Sequence, residues 1–237
     1  NKTLKKVGHL INEGGYDAVL VTSCRYFYLP LISKYINPEV NSILYLHEPY
    51  RWWYEATIIN PWKIEIKNSG IKLIGNFINH VSLTIIQRVS YASEYVDLRG
   101  YKKVLTNSLF SRESIIRIYG LDAIPMYPWI DNDFFVVSEQ KKPYVIGCSF
   151  IHPSKNIEFI IRSIATINEE SRPELIWVAN DFHENYKLQL NNLSSQLGVR
   201  LTIEHAVPRA RLRTLMSEAA VFAYAPRLEP FGLAPIE

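Results

Sequence analysis

Short apolar runs alternate with segments whose apolar residues recur at helical spacing through the second half of this 237-residue chain. The run 145–150 is typical of a buried strand and is followed by isoleucines at positions 157, 160, 161, 164 and 167, the spacing of one helix face. Short strands alternating with such helices predict a parallel sheet joined by right-handed crossovers. The later predicted strands are 175–179, 199–203 and 221–224, and the later helices are marked by Leu190, Leu193 and Leu197 and by Leu212, Leu215 and Met216.

The first half follows the same α/β pattern less regularly. A polar, proline-bearing stretch at 133–143 is the best candidate for a domain linker. We therefore predict one domain over residues 1–132 and a second over residues 143–237. The predicted strands of the first domain are 18–21, 43–46 and 104–106, and its predicted helices are 4–11, 77–98 and 111–119.

Both predicted domains are expected to be incomplete. The second stops where its fifth crossover helix should begin, and the first lacks an opening strand with a glycine-rich turn. A single helical turn has little stability of its own. We therefore expect the chain to be part of a longer enzyme, and we expect residues 1–237 alone to aggregate or to bind nucleotide weakly.

Composition and charge argue against several classes of function. The net charge of +3 is too small to indicate nucleic-acid binding, and no apolar run approaches the roughly 20 residues of a membrane span. Cys24 and Cys148 lie far apart without metal-ligand spacing. We interpret them as buried free thiols in a reducing, cytoplasmic compartment, with peripheral membrane contact left open. No G-x-S-x-G motif supports a serine hydrolase.

Two carboxylates, Glu229 and Glu237, bracket the apolar turn Pro-Phe-Gly-Leu-Ala-Pro-Ile directly after a predicted strand. Crevices at the carboxyl ends of parallel strands bind ligands, and the backbone N–H groups of a helix start suit a diphosphate. The segment resembles the E-x7-E motif of retaining glycosyltransferases of family 4. Those enzymes have the GT-B fold, so the resemblance implies two Rossmann-like domains facing across a cleft, both here incomplete.

The resemblance also implies roles for single residues of this turn. Glu229 corresponds to the carboxylate that contacts the transferred sugar, and Glu237 to the one that contacts the ribose. The backbone of Phe231, Gly232 and Leu233 is then expected near the diphosphate, and Gly232 permits close approach to a ligand. A surface glutamate is the alternative for either carboxylate taken alone.

The segment 150–156, Phe-Ile-His-Pro-Ser-Lys-Asn, is similar to the family's strand-to-helix turn that ends in Lys-Asn or Lys-Gly. In the family that lysine holds the donor diphosphate, which implies the same role for Lys155. A lysine at a helix start opposes the helix dipole, and this favours an anion-binding role over the alternative of a solvated lysine.

The chain departs from the family pattern at two positions. An arginine usually stands five residues before the lysine, where this chain has Phe150, and a glycine usually stands in the base-contacting loop, where this chain has His205. Base contacts around Ala206 and Val207 are therefore only weakly implied. The cations that can substitute for the missing arginine are Arg209, Arg211 and Arg227.

His47 follows the predicted strand 43–46, and in similar proteins a histidine of this loop lies near the transferred sugar. Its imidazole is suited to bind a hydroxyl or a developing charge, whereas a loop histidine that caps backbone groups is the alternative. The following cluster, residues 51–54, either stacks on an acceptor sugar or lipid headgroup or forms a buried flap. Asn107 and Ser108 match a family signature, but helix capping alone explains them.

Together these features predict a retaining hexosyltransferase that moves a sugar from a nucleoside diphosphate sugar to a sugar or lipid-linked acceptor. Glu229 and His47 are predicted to be catalytic, while Lys155, Glu237 and the backbone of 231–233 bind the donor. The resemblance implies no metal, because cations and a helix dipole stabilise the leaving diphosphate. The alternative, which the departure at residue 150 favours, is a degenerate protein that binds a nucleotide sugar or a partner without turnover.

Overall fold

The computed structural model describes residues 2–23, 29–50, 54, 70–131 and 138–237, apart from the side chains of residues 70–80 and 83. The chain divides into two compact units, Asn1–Pro128 and Trp129–Glu237. Each unit contains a four-stranded sheet in which every strand pairs in parallel. The predicted α/β class with Rossmann-like parallel sheets is therefore confirmed. The predicted linker at 133–143 lies partly outside the described residues.

The first unit is a parallel sheet whose spatial order follows the order of the chain. Its elements are α1 (Lys2–Glu13), β1 (Ala18–Thr22), β2 (Asn41–Tyr45), α2 (Gly70–Leu98), β3 (Lys103–Thr106), α3 (Leu109–Tyr119) and β4 (Ile124–Pro125), with a 3₁₀ turn at Ser33–Tyr35. The strand order is β1-β2-β3-β4. Helix α2 begins seven residues before its predicted start at residue 77. The sequence did not predict this earlier start, because Gly70 and Gly75 have low helix propensity.

The boundaries of α3 have clear local causes. The Ser108 hydroxyl accepts a hydrogen bond from the Ser111 N–H at 3.0 Å and so caps the first turn. Gly120 ends the helix at φ 60°, as predicted. Between these two ends, Ile115 and Tyr119 turn into the core of the unit, where Leu44 from β2 is also fully buried.

The second unit is a parallel sheet wound in both directions from its first strand. Its elements are β5 (Lys142–Cys148), α4 (Ile157–Ala165), β6 (Glu174–Ala179), α5 (Glu184–Gln196), β7 (Leu201–His205), α6 (Arg209–Glu218) and β8 (Ala219–Phe222), with 3₁₀ turns at Pro153–Lys155 and Glu169–Ser171. The strand order is β7-β6-β5-β8. The chain therefore moves outward from β5 through β6 and β7, then returns to the other side of β5 to form β8.

The isoleucine pattern predicted for α4 is confirmed for four of its five members, whereas Ile167 lies two residues beyond the end of the helix at Ala165 and is 39% exposed. Ile157, Ile160, Ile161 and Ile164 are all buried against the sheet in the main core of this unit. Burying each such side chain stabilises the fold by about 1.5–3 kcal/mol, so this face fixes α4 against the strands. Strand β5 begins three residues earlier than predicted. Its register with β8 shifts between Lys142 and Val145, an interval that contains Pro143, which has no N–H to donate.

Candidate functional site

The carboxyl ends of β5 and β8 form the switch point of the second sheet, because the chain leaves β5 toward β6 while β8 lies on the other side. Loops that diverge from such a point open a crevice, which is where parallel sheets bind ligands. A cavity of about 570 Å³ lies at this edge. Its walls include Phe150, Asn180, Asp181, Val207, Arg209 and Glu237.

The loop after β5 is held in position by its neighbour β6. The Trp177 indole N–H donates to the Ser149 carbonyl at 3.1 Å, and Gly147 leaves room for the indole ring, since a Cβ there would lie 2.0 Å from it. The chain then enters the 3₁₀ turn Pro153–Lys155. Asn156 follows at φ 55°, a left-handed conformation that Asn and Gly adopt more readily than other residues. This backbone geometry explains why Asn or Gly suits the position after the lysine.

The loop after β8 lies directly against that turn. The Arg227 N–H donates to the Ser154 carbonyl at 3.1 Å, so the two loops are tied by their backbones. Beside this contact, Lys155 Nζ forms a hydrogen-bonded ion pair with Glu229 Oε2. Each of these two side chains is 24% exposed. The structure thus brings together two predicted site residues that are 74 positions apart in the chain.

Tyr224 belongs to this site although the sequence analysis did not single it out; its one signal was its place at the end of a predicted strand. Its hydroxyl is buried and has no hydrogen-bond partner among the described residues. Burial, and then the negative charge of Glu229, raise the pKa of this phenol above its usual range. The hydroxyl also lies against Gly232, where a Cβ would come within 2.6 Å of it.

The apolar turn between the two carboxylates is closely packed around its glycine. Gly232 is buried at φ 81°, so both its conformation and the contact with Tyr224 exclude a larger residue. Phe231 is partly buried, whereas the Leu233 side chain is 42% exposed. The Leu233 carbonyl accepts the N–H groups of Ile236 at 2.9 Å and of the following residue at 3.2 Å. Residues 233–237 therefore form one tight turn.

That turn brings Glu237 into the wall of the cavity, next to Cys148. Burial, and then the charge of Glu237, raise the pKa of the Cys148 thiol, which is free. Cys24, the other cysteine, lies outside the described residues. The two carboxylates of the motif therefore serve different parts of one edge, with Glu237 in the cavity and Glu229 at the lysine turn.

The three arginines considered as substitutes for the missing cation lie in different surroundings. Arg209, the first residue of α6, lines the cavity and approaches Asp131 at 3.4 Å. Arg211 forms an ion pair with Glu204 at 2.8 Å. Arg227 reaches the start of α4 on the far side of the lysine turn. Of the three, Arg209 is the cation that shares the cavity with Phe150 and Glu237.

The loop after β7 forms another part of the cavity wall. Val207 lines the cavity, and the base contact that the resemblance weakly implies for it stays a prediction. The left-handed residue of this loop is Ala206, at φ 49°, rather than His205, which stands where the family has glycine. The His205 ring nitrogen Nε2 lies 3.2 Å from the Asn180 carbonyl and so ties the loop to the end of β6.

In the first unit, His47 follows β2 at the carboxyl edge of that sheet. Its carbonyl accepts the Thr106 hydroxyl at 3.4 Å, and its ring meets the Tyr45 ring edge-on at 4.8 Å between centroids. The residue remains exposed, but partial burial of the ring lowers the pKa of its imidazole, opposed by the charge of Glu48. The backbone of His47 is therefore tied to Thr106 of β3 at the carboxyl edge of the sheet.

Other predicted positions of the first unit have mixed outcomes. The capping interpretation of Ser108 is confirmed, while Asn107 is buried and its Oδ1 has no hydrogen-bond partner among the described residues. Residues 51–53 lie outside the described residues. Tyr54 is described, and its hydroxyl donates to Glu94 at 2.8 Å while its ring packs against the core. This part of the 51–54 cluster therefore matches the buried-flap alternative.

In the part of the chain that the structure describes, no three His, Cys, Asp or Glu side chains are grouped so that they can hold a metal ion. The described helices include none that is both long and apolar enough to span a membrane.

Comparison with known proteins finds a match to a family model in the second unit. Residues 130–237 match the family model described as Glycosyl transferases group 1. No curated protein matches the sequence. Among solved structures, the pneumococcal O-GlcNAc transferase GtfA in complex with UDP and GlcNAc is similar with a TM-score of 0.60 and 12% identity, over 97% of this chain and 41% of that one.

Two further structures have the same fold. The catalytic domain of starch synthase IV from Arabidopsis thaliana, bound to ADP and acarbose, has a TM-score of 0.55 at 10% identity, over 97% of this chain and 56% of that one. A variant of S. aureus TarM in complex with fondaparinux, α-GlcNAc-glycerol and UDP has a TM-score of 0.54 at 7% identity, over 82% of this chain and 34% of that one. The chain thus spans between 34% and 56% of the lengths of these proteins.

The chain has the fold of these structures, the GT-B fold that the resemblance implied. The residues that match the Glycosyl transferases group 1 model contain the lysine turn, the cavity and both carboxylates of the motif.

Proposed function

We propose that this protein is a glycosyltransferase that takes a sugar from a nucleoside diphosphate sugar. The observation that carries the proposal is the pairing of Lys155 with Glu229 at the switch point of the second sheet, beside a cavity that contains Glu237. Cations next to carboxylates at this edge suit a ligand with both phosphate and hydroxyl groups. The family match over residues 130–237 supports the same class of reaction.

The cavity supports a nucleoside as the part of the donor bound most deeply. Its volume of about 570 Å³ falls within the roughly 300–1,000 Å³ of small-molecule sites. Glu237 is suited to accept hydrogen bonds from ribose hydroxyls, while Val207 and Leu212 offer apolar surface to a base. The similar proteins GtfA and TarM were solved with UDP and the starch synthase with ADP, which supports a nucleoside diphosphate without selecting the base.

The roles proposed for the remaining site residues follow the order of the chemical groups in such a donor, from nucleoside to diphosphate to sugar. Lys155 and the backbone N–H groups of 231–233 stabilise the leaving diphosphate, and Glu229 holds the transferred sugar through its hydroxyls. His47 is proposed to contact that sugar from the first domain. Cationic stabilisation of the diphosphate makes a metal ion unnecessary in this proposal. Three finer parts of the proposal rest on the E-x7-E resemblance. The transferred sugar is a hexose, its configuration is retained, and the acceptor is a sugar or is lipid-linked.

Arg209 is proposed to replace the missing cation of the family pattern. Phe150 cannot bind a phosphate, yet Arg209 lines the same cavity from the first residue of α6. A cation at a helix N-terminus is unfavourable by about 0.3–1 kcal/mol unless an anion is near it. Asp131 lies 3.4 Å from Arg209, and the bound diphosphate would be a second anion within its reach.

Replacing Arg209 by alanine is expected to weaken UDP binding by about fivefold to twentyfold. This loss of affinity is smaller than the loss expected for a buried cation, because the Arg209 side chain is largely exposed. Isothermal titration calorimetry measures this directly. Arg211→Ala is the matched control, since Arg211 lies on the same helix but pairs with Glu204. Equal losses of affinity in both variants would contradict the assignment of Arg209.

The proposed activity is tested with the full-length gene product and a panel of UDP-, ADP- and GDP-sugars. Release of nucleoside diphosphate is measured with and without oligosaccharide and lipid-linked acceptors. We expect Glu229→Gln to lower kcat on the order of 100-fold without weakening UDP binding, by analogy with the loss of one transition-state hydrogen bond. Glu237→Gln should instead weaken UDP binding by roughly tenfold.

Three outcomes decide between the alternatives. Turnover with one donor and the expected division between the two glutamate variants supports the proposal. UDP binding without turnover for any donor favours the degenerate binding protein. Identical effects of Glu229→Gln and Glu237→Gln on kcat and on UDP affinity would overturn the separate roles of the two carboxylates.

A further inference from the structure

The cation and the carboxylate at the centre of the proposed site neutralise each other in the absence of ligand. Lys155 Nζ and Glu229 Oε2 are paired, and both side chains are three-quarters buried. Breaking a partly buried ion pair leaves each charge without its partner, so the pair persists until another group replaces one member. The group that can replace Glu229 at Lys155 is an anion.

We propose that Glu229 competes with the donor diphosphate for Lys155, and that the released Glu229 is then held by the Tyr224 hydroxyl. This inference rests on the proposed function and concerns how the same site is controlled. We call the Lys155–Glu229 ion pair a latch, because it keeps the Glu229 carboxylate from other partners. The diphosphate breaks the ion pair, and only then is the carboxylate available to the hydroxyls of the transferred sugar.

Tyr224 has the properties that an alternative partner needs. Its buried hydroxyl has no hydrogen-bond partner among the described residues, although buried polar groups are nearly always paired in folded proteins. Burial, and then the charge of the neighbouring Glu229, raise the pKa of this phenol. A protonated phenol is a hydrogen-bond donor, which is what a carboxylate can accept. The hydroxyl lies beside Gly232, which belongs to the same loop as the carboxylate.

The latch has a consequence for specificity. A free sugar carries no anion that displaces Glu229 from Lys155. It therefore meets a carboxylate that is still paired with the lysine. A nucleoside without phosphates binds in the cavity but leaves the pair closed. The structure thus couples recognition of the sugar to the presence of the diphosphate, and the coupling passes through one side chain.

The test compares binding of UDP and of uridine to the full-length protein by calorimetry. Glu229→Gln removes the competing charge and keeps the shape, so UDP affinity is expected to rise about threefold to thirtyfold, while uridine affinity is unchanged. In the Lys155→Ala background, the same substitution should have no such effect, because the competition no longer exists.

Tyr224→Phe provides the second measurement. Removing the hydroxyl takes away the partner of the released carboxylate, so UDP affinity should fall about threefold to tenfold. The ligand-free variant should be at least as stable to heat as the parent protein, because an unpaired buried hydroxyl is lost. In the Glu229→Gln background the effect of Tyr224→Phe on UDP binding should largely vanish.

The outcomes separate this inference from the function on which it rests. UDP binding and turnover by the parent protein, together with unchanged or weaker UDP affinity in Glu229→Gln, would overturn the latch and leave the glycosyltransferase proposal intact. An equal gain for uridine and UDP would also overturn it, because the effect would not involve the diphosphate. Failure of every nucleotide to bind the parent protein would overturn both.

Discussion

Replacing Lys155 by alanine is expected to weaken the binding of nucleoside diphosphate by roughly 10-fold to 150-fold, the equivalent of about 1.5–3 kcal/mol for a hydrogen bond to a charged group. The loss is expected because the diphosphate loses the cation that the proposal assigns to it.

The measurement is calorimetry with UDP on the full-length protein, with thermal unfolding recorded in parallel. Lys141→Ala serves as the control, since Lys141 belongs to the same unit but binds the carbonyl of Ser217. A Lys155→Ala protein that is folded and binds UDP as tightly as the parent would show that Lys155 does not contact the diphosphate.

Replacing Gly147 by valine is expected to destabilise the second unit by about 3 kcal/mol or more, the range of severe overpacking in a core. The cause is steric, because even a Cβ at this position would lie 2.0 Å from the indole ring of Trp177. That ring is itself buried, and its N–H donates a hydrogen bond to the Ser149 carbonyl. Because that bond positions the loop after β5, nucleotide binding should be lost together with stability.

Chemical denaturation followed by tryptophan fluorescence and circular dichroism measures the change. The contact is tested specifically by introducing Gly147→Ala alone and together with Trp177→Leu. If the ring is the obstacle, the alanine costs much less in the double variant than in the parent. Equal costs in both backgrounds would mean that the packing of β5 against β6 differs from the one described here.

Much of the second unit was predictable because its signals are local. The spacing of the isoleucines indicates the buried face of α4, and strands β5, β6 and β8 each contain a short apolar run. Strand β7 instead ends in Glu204 and His205, two residues beyond its predicted end. The first unit was less predictable at its edges. Helix α2 begins at Gly70, in a segment with two glycines, and the two-residue strand β4 is too short to produce any periodic pattern.

The candidate site was predictable in its parts. The spacing of Glu229 and Glu237 and the position of Lys155 before a helix are readable along the chain, and the resemblance gave them proposed roles. The choice among three arginines was not readable, because Arg209 and Arg211 differ by two positions on one helix and therefore by their direction from its axis.

The amino-acid sequence by itself determined the order of the longer strands and helices, the α/β class and the identity of the candidate residues other than Tyr224. Only the tertiary structure decided that Lys155 pairs with Glu229 across 74 residues, and that the Tyr224 hydroxyl lies beside them without a partner. The physical reason is the return of the chain to the far side of β5 to form β8. Local sequence patterns predict contacts between residues that are close along the chain. This crossover instead brings together the loops after β5 and β8, two strands that are distant in sequence.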